Sequence, residues 1–374
     1  MTGDPYVASK ALYHTDRIIG LKKGGVISPT LIQVDPMSYC NDNCKFCSYR
    51  EETMYNNSML KLIDANQKDV TDHMGGVGKP TEQGTWPEWL ADSLGRQMVD
   101  ANIPAIEITG GGEPTLWRGF DRLVQSCLAY KRDVGLVTNA SNLNDERAKF
   151  LSKCVWVRTS IDAATKETHQ KVHRTANQDF ERRIENLRRL VAYKLSQKTN
   201  CVIGVSFVVQ KENMHEIEQS VKLFREIGVD NIRFTLMYDK NANAGLDEMQ
   251  RNEMKFQIED SKKYSTDKFA VLFDDSRLWT YSKPNNDFKK CYLQNFVWAI
   301  GADCKVYPCC IMKYNPDYAY ADLREQTLLS MVRDMNFQAR QNNLDVTKCF
   351  PCWLRTRNQA LAQAMEEPLH SNFL

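Results

Sequence analysis

From about residue 30 to residue 240, short apolar or β-branched runs alternate with segments of helical periodicity. Six runs have strand character: TLIQVD (30–35), AIEIT (105–109), VGLVT (134–138), VWVRTSI (155–161), CVIGVSFVV (201–209) and NIRFTL (231–236). Among the helical segments, DFERRIENLRRLVAYKL (179–195) puts Ile184, Leu187, Val191 and Leu195 on one stripe. Its arginines fall on the other side, a face expected to be solvated. Strict alternation of strand and helix predicts parallel βα units and an α/β fold, a partial (β/α)6 TIM-type barrel. An open doubly wound sheet is the structural alternative, but no glycine-rich dinucleotide turn follows the first strand. In a barrel of this kind the working residues lie at the C-terminal ends of the strands.

The chain is long enough for such a barrel and an appendage. We divide it into an N-terminal extension (1–29), the barrel (30–240), a connector (241–290) and a small C-terminal domain with a closing helix (291–374). The connector is expected to hold a helix around 246–264 and a strand at KFAVLF (268–273). FVWAIGADCKVYPCC (296–310) reads as a hairpin, and LREQTLLSMVRDMNFQARQ (323–341) as helical. MGGVGKPTEQG (74–84) reads as a flexible insertion; it lacks the ending of a phosphate loop.

A net charge of +2 gives no overall electrostatic attraction to nucleic acid or anionic membrane. Neither a signal-type N-terminus nor a membrane-length apolar run is present, so a cytoplasmic protein with reduced thiols is expected. Twelve cysteines then point to metal ligation plus a few buried small hydrophobes. Cys127, Cys154 and Cys201 fall inside strand or helix segments and are read as core. The others gather at the two ends of the chain.

CNDNCKFC, Cys40 to Cys47, follows the first strand directly and spaces its thiols C-x3-C-x2-C. Four ligands are usual for structural zinc, and a remote residue such as His73 would have to complete one here. Three local thiolates instead suit an iron–sulfur cubane with one iron left open. GGGEP (110–114) follows the second strand, where glycines allow close approach and a carboxylate suits an ammonium.

With these motifs the sequence resembles the radical S-adenosylmethionine superfamily, whose cluster loop also carries an aromatic residue, here Phe46, before the last cysteine. The resemblance implies a [4Fe-4S] cluster on Cys40, Cys44 and Cys47 with S-adenosylmethionine on the open iron. Reductive cleavage would give a 5′-deoxyadenosyl radical that abstracts hydrogen from substrate. Gly111, Gly112 and Glu113 match the segment that binds the methionyl amino group. Thr138 and Asn139 match a Thr-Asn turn, with Ala140 where glycine is frequent. Ser160 and Asp162 match contacts to ribose or the methionine carboxylate. Arg174 matches an arginine that meets that carboxylate, with a surface ion pair as its alternative.

Cys291, Cys309, Cys349 and Cys352 resemble the ligands of the auxiliary (twitch-like) iron–sulfur extension, implying one auxiliary [4Fe-4S] cluster. Cys304 stands where that pattern has a turn glycine and Cys310 is surplus, so either is left open as a substitute ligand. A structural four-cysteine zinc site is the alternative. The longer SPASM version with two clusters is disfavoured, since too few cysteines follow Cys352. His169 and His173, spaced i, i+4, have the spacing of a metal pair but are read as a solvated helix face. Arg233 and Tyr238 are the expected substrate-facing residues.

The expected enzyme is an oxidoreductase or isomerase acting on a small polar amino-acid, sugar or nucleoside derivative. A flavodoxin or ferredoxin is its implied electron donor, and no membrane is involved. An amino-acid-bearing thymidine in viral DNA is the named alternative substrate. A peptide is less favoured, because about 30 residues before the first strand are too few for a leader-binding domain. A non-enzymatic metal-binding scaffold is the reading from a different class.

Overall fold

The computed structural model describes residues 8–44, 46, 47, 49, 84–176, 178–236, 246–275, 288–349, 352 and 354–366. His73, Tyr238 and the insertion up to residue 83 lie outside the described residues.

The six expected strands form: β1 (Leu31–Val34), β2 (Ala105–Ile108), β3 (Asp133–Thr138), β4 (Trp156–Ser160), β5 (Val202–Val209) and β6 (Asn231–Leu236). The connector strand, β7 (Ala270–Asp274), pairs parallel to β6. The hairpin is β8 (Val297–Ile300) and β9 (Lys305–Tyr307), followed by a short β10 (Ala321–Asp322). All ten belong to one sheet, in the order β10-β9-β8-β1-β2-β3-β4-β5-β6-β7. β8 pairs parallel to β1, with Gln33 opposite Ala299, so the C-terminal hairpin extends the barrel sheet at its β1 edge. Among the described residues no pairing joins β7 to β10, and the barrel stays partial.

Side-chain alternation divides the sheet into two faces. Ile32, Val34, Ile106, Ile108, Leu136, Val157, Phe207 and Phe234 are buried in one continuous apolar core. Residues of the opposite parity, Gln33, Glu107, Arg158, Ser160, Ser206 and Arg233, are half-buried and line the inner face. Register keeps them together: Gln33 lies beside Glu107, and Ser160 beside Ser206 beside Arg233. A parallel sheet is ordinarily apolar on both faces, and this inner face departs from that by carrying polar and charged side chains. Gly135 on β3 admits the Trp156 ring of β4, since a Cβ there would lie 2.2 Å from it.

Local sequence accounts for the helices. Thr165 caps Lys166–His173, and Asp247 forms a capping box with Gln250 at the start of Glu248–Ser261. The single helix expected at 323–341 is two, Leu328–Arg333 and Met335–Asn342. Asp334 breaks it: the backbone there is extended and the carboxylate accepts from the amide of Asn336, starting a new helix. The residues before β1 include a helix, Thr15–Lys22, whose Ile18 packs with Leu293, Phe296 and Leu361 of the C-terminal segment.

Helix Asp179–Gln197 departs from the amphipathic reading at two points. Leu195 is 68% exposed, and Arg183, expected on the solvated side, is 0% exposed. The helix turns a polar strip as well as an apolar one toward the protein, for the reason given below.

Phe207 and Phe234 meet on adjacent strands at 5.3 Å between ring centroids, both fully buried. Phe234→Ala is expected to cost about 3–5 kcal/mol, read from the midpoint of urea unfolding.

Candidate iron–sulfur and S-adenosylmethionine site

The three-cysteine loop leaves β1 at Asp35, and its shape comes from the elements around it. Ser38 donates its amide (2.7 Å) and hydroxyl (3.0 Å) to the carbonyl of Gly84. The GGGEP turn lies against the loop, with Gly112 N–H donating to Met37 O (3.1 Å) and Glu113 N–H to Tyr39 O (2.9 Å). A Cβ at Gly112 would stand 1.9 Å from Tyr39 O, so only glycine fits this approach. Asn139 donates to the Asn41 side chain at 2.8 Å, and Asn43 N–H donates to His173 O at 3.0 Å. Cys40, Cys44 and Cys47 are half-buried, and none is in a disulfide. Burial drives the Cys40 thiol well above its ordinary pKa.

Glu113 is buried and its carboxylate is fully engaged. It accepts from Thr115 N (3.1 Å), Thr115 Oγ1 (2.6 Å), Thr138 Oγ1 (2.7 Å) and Asn139 N (2.7 Å). Desolvation raises its pKa against these bonds. The carboxylate thus ties the ends of β2 and β3 together, and what the GGGEP turn offers a ligand is its backbone. Ala140, in the position where glycine is frequent, has φ 61°. That left-handed turn is the conformation for which glycine is the easiest residue.

His169 and His173 are buried, contrary to their reading as a solvated face. They stack at 4.5 Å, and His173 reaches the cluster loop. Its Nδ1 lies 3.1 Å from Cys44 Sγ and 3.2 Å from Asp42 Oδ2. Its Nε2 lies 2.9 Å from Ile161 O and 3.1 Å from Asp162 Oδ2. Burial alone would lower the His173 pKa; Cys44, Asp162 and Asp42 override it and hold the ring well above the ordinary histidine value. Asp42 is bonded to both terminal nitrogens of Arg183, at 2.8 and 2.5 Å, and Arg183 also pairs with Asp179. Burial opposes ionisation of Asp42, but Arg183 and His173 hold its carboxyl well below the usual range. Sequence reasoning missed Asp42, His173 and Arg183 as site residues. Periodicity had only an i, i+4 histidine pair to offer, and the partners lie 141 residues apart in the case of Asp42 and Arg183.

The remaining expected residues are placed as follows. Ser160 is half-buried on the inner face. Asp162 is buried with φ 54°, and its Oδ1 accepts from Val208 N at 2.6 Å. Arg174 is exposed at the end of its helix with φ 53°. Arg233 pairs with Asp274 of β7 across the inner face.

In the C-terminal segment Cys291, Cys309, Cys349 and Cys352 line one small pocket, partly open to solvent. Its other walls are largely apolar, with Leu293, Ile311, Met312 and Leu344 among them. Burial raises all four thiols, Cys349 to about 11 and Cys352 to about 12. Such thiols are poor lone thiolates, and metal binding supplies the compensation for losing their protons. Cys304 and Cys310 do not line this pocket. Cys304 is buried in the main core at the hairpin turn with φ 63°, the conformation that explains a glycine at that position of the pattern. Cys310 is half-buried; it feels the charges of Lys313, Glu107 and Asp35 and also acts electrostatically on Cys309 and Cys352.

Both donor sets fit iron–sulfur clusters: three thiols on an irregular loop against a glycine turn, and four around an apolar pocket. Residues 34–224 match the profile of the radical SAM superfamily, and residues 291–353 that of the SPASM iron-sulfur cluster-binding domain. The chain is 31% identical over 133 residues to a protein of Saccharolobus islandicus named "Probable GTP 3',8-cyclase". That stretch is 35% of this chain and 40% of the curated relative. Among solved structures, SuiB of Streptococcus suis bound to precursor peptide SuiA shares the fold, with a TM-score of 0.60 and 16% identity. The match covers 92% of this chain and 73% of SuiB. anSMEcpe with bound AdoMet aligns with a TM-score of 0.54 and 17% identity over 84% of this chain and 83% of that one. Among the described residues, no helix is long and apolar enough to cross a membrane.

Replacing Arg183 with methionine would leave Asp42 and Asp179 buried without their guanidinium. The expected loss is about 3–5 kcal/mol of stability, measured by denaturant unfolding at neutral pH.

Proposed function

The chain belongs to the radical S-adenosylmethionine superfamily of enzymes and carries an iron–sulfur cluster-binding domain, and on that premise we propose that it abstracts hydrogen from a small polar substrate held in the barrel. The substrate would be an amino-acid, sugar or nucleoside derivative, and the outcome oxidation or rearrangement. The observation that carries this reading is the charged inner wall of Gln33, Glu107, Arg158, Ser160, Ser206 and Arg233, which suits a ligand rich in hydrogen-bonding groups.

Cys40, Cys44 and Cys47 would hold the first cluster, and Cys291, Cys309, Cys349 and Cys352 the auxiliary one. When bound, the first cluster with S-adenosylmethionine supplies a 5′-deoxyadenosyl radical after one-electron reduction by a flavodoxin or ferredoxin. The protein's part is to orient and enclose. The backbone of Gly111 to Glu113 offers a close seat for the methionyl group, and the Thr138–Asn139 turn fixes that seat through Glu113. Ser160, on the inner wall, is within the set that would meet the ribose. Arg174 would reach the methionine carboxylate from the helix end, while Asp162 acts through His173.

A peptide substrate is the second reading, favoured by the fold shared with SuiB, solved bound to its precursor peptide. The nucleotide in the name of the cyclase relative points back to a small molecule. DNA bearing a modified thymidine is the third arm of the test.

5′-Deoxyadenosine formation by the anaerobically reconstituted chain, given small-molecule, peptide or DNA fractions separately, decides among them. Stimulation by small molecules alone is the expected result; stimulation by peptide or DNA alone overturns the substrate class. Cys40→Ser is expected to reduce formation to background. The double variant Cys349→Ser/Cys352→Ser is expected to lose about four iron atoms per chain by elemental analysis, and to keep the first cluster.

A further inference from the structure

Between the two cysteine sites lies a buried polar cluster to which the functional reading assigns no part. Lys313, four residues after Cys309, is 1% exposed, and its ammonium is ion-paired with Asp35. The same ammonium donates to the Tyr49 hydroxyl at 2.9 Å. Tyr49 in turn donates to Asp35 Oδ2 at 3.2 Å, and Tyr314 donates to the same oxygen at 3.0 Å. The ammonium also lies 5.3 Å from the Tyr49 ring centroid and 5.9 Å from that of Tyr314. Tyr314 has φ 66°, a left-handed backbone held by its hydroxyl, which accepts from Ala302 N at 3.1 Å.

Asp35 precedes the three-cysteine loop and Tyr49 follows Cys47 by two residues, so one ammonium from the C-terminal segment holds both flanks of the loop. The middle of the loop is anchored differently, from the barrel. Asn139 bonds Asn41, Arg183 bonds Asp42, and His173 meets both the Asn43 amide and the Cys44 sulfur. Cys44 is therefore seated by the barrel, whereas Cys47 is held from two sides: its amide donates to Cys44 O at 3.3 Å and Phe46 before it meets the His173 ring at 5.8 Å, while Tyr49 lies two residues beyond it.

We propose that Lys313 is the positioning residue for Cys47, through Tyr49. Its neighbour Met312 lines the pocket of Cys291, Cys309, Cys349 and Cys352, so the seating of Lys313 follows that of the auxiliary site. The third thiol of the first site is thereby set by the C-terminal domain, and the two sites share one geometry. A buried ammonium without its carboxylate and phenol is strongly disfavoured, so the contact is made fully or lost. The inference rests on reading the two cysteine groups as cluster sites.

The test is alkylation of the full-length, iron-free chain by N-ethylmaleimide, with each thiol followed by mass spectrometry. Lys313→Met is compared with wild type and with Asp35→Asn/Lys313→Met, which removes the unpaired buried carboxylate. In both variants Cys47 is expected to react about tenfold faster while Cys44, held by His173, keeps its rate. In the reconstituted chain, Lys313→Met is expected to retain its auxiliary iron and to bind S-adenosylmethionine about tenfold more weakly. An unchanged Cys47 rate overturns the proposal, and so does an equal rise at Cys44 and Cys47 in both variants. Failure of the cluster reading is distinguishable: wild-type chain would then take up no iron at Cys40, Cys44 and Cys47, whatever the alkylation rates.

Discussion

A guanidinium with no exposure to solvent holds this site together. Arg183, on a helix of the barrel's outer layer, reaches inward to bond Asp42 in the middle of the three-cysteine loop. The described residues between Cys40 and Cys47 form no helix or strand, and a buried carboxylate among them would be costly without a cation. Arg183 and the His173 ring supply the positive charge, and Asp162 and Asp179 balance it from behind. The pairs are individually weak sources of net stability, since desolvation offsets most of their attraction. Their effect is geometric: with every partner in place, the loop has one low-energy seating, and Cys44 comes within 3.1 Å of the histidine.

That seating joins two halves of the molecule. From the barrel side the loop meets the glycine turn after β2, the Thr-Asn turn after β3 and the histidine after β4. From the other side it meets Lys313, in the segment between β9 and β10 of the same sheet, which β8 joins beside β1. The C-terminal cysteine pocket is consequently not a separate bead on a linker. It is attached to the strand from which the first cysteine loop departs.

Much of this was legible in the sequence because it is local. Six strands were readable from short apolar runs, each within a residue or two of its observed bounds, and the connector strand as well. Cysteine spacing singled out the loop after β1, and the resemblance to the auxiliary-cluster pattern picked out the four cysteines that line one pocket. Two departures from the family pattern, Ala140 and Cys304, also gain a physical meaning: both adopt left-handed backbone, where glycine is merely the easiest choice.

The sequence by itself determined the alternation of elements, the chemistry of the thiols and the end of the barrel at which they lie, since periodicity and spacing act over a few residues. Only the tertiary structure decided which polar residues are buried and with whom. Arg183, His169 and His173 look like solvated face residues when a helix is read alone, because a helical wheel records polarity and not partners. Arg183 and His173 are buried against Asp42, Asp162 and Asp179, and His169 against the His173 ring. Lys313 and Asp35, 278 residues apart, meet only because β8 joins the sheet beside β1. Ion pairs between distant segments leave no periodic trace, and it is those pairs that fix the site.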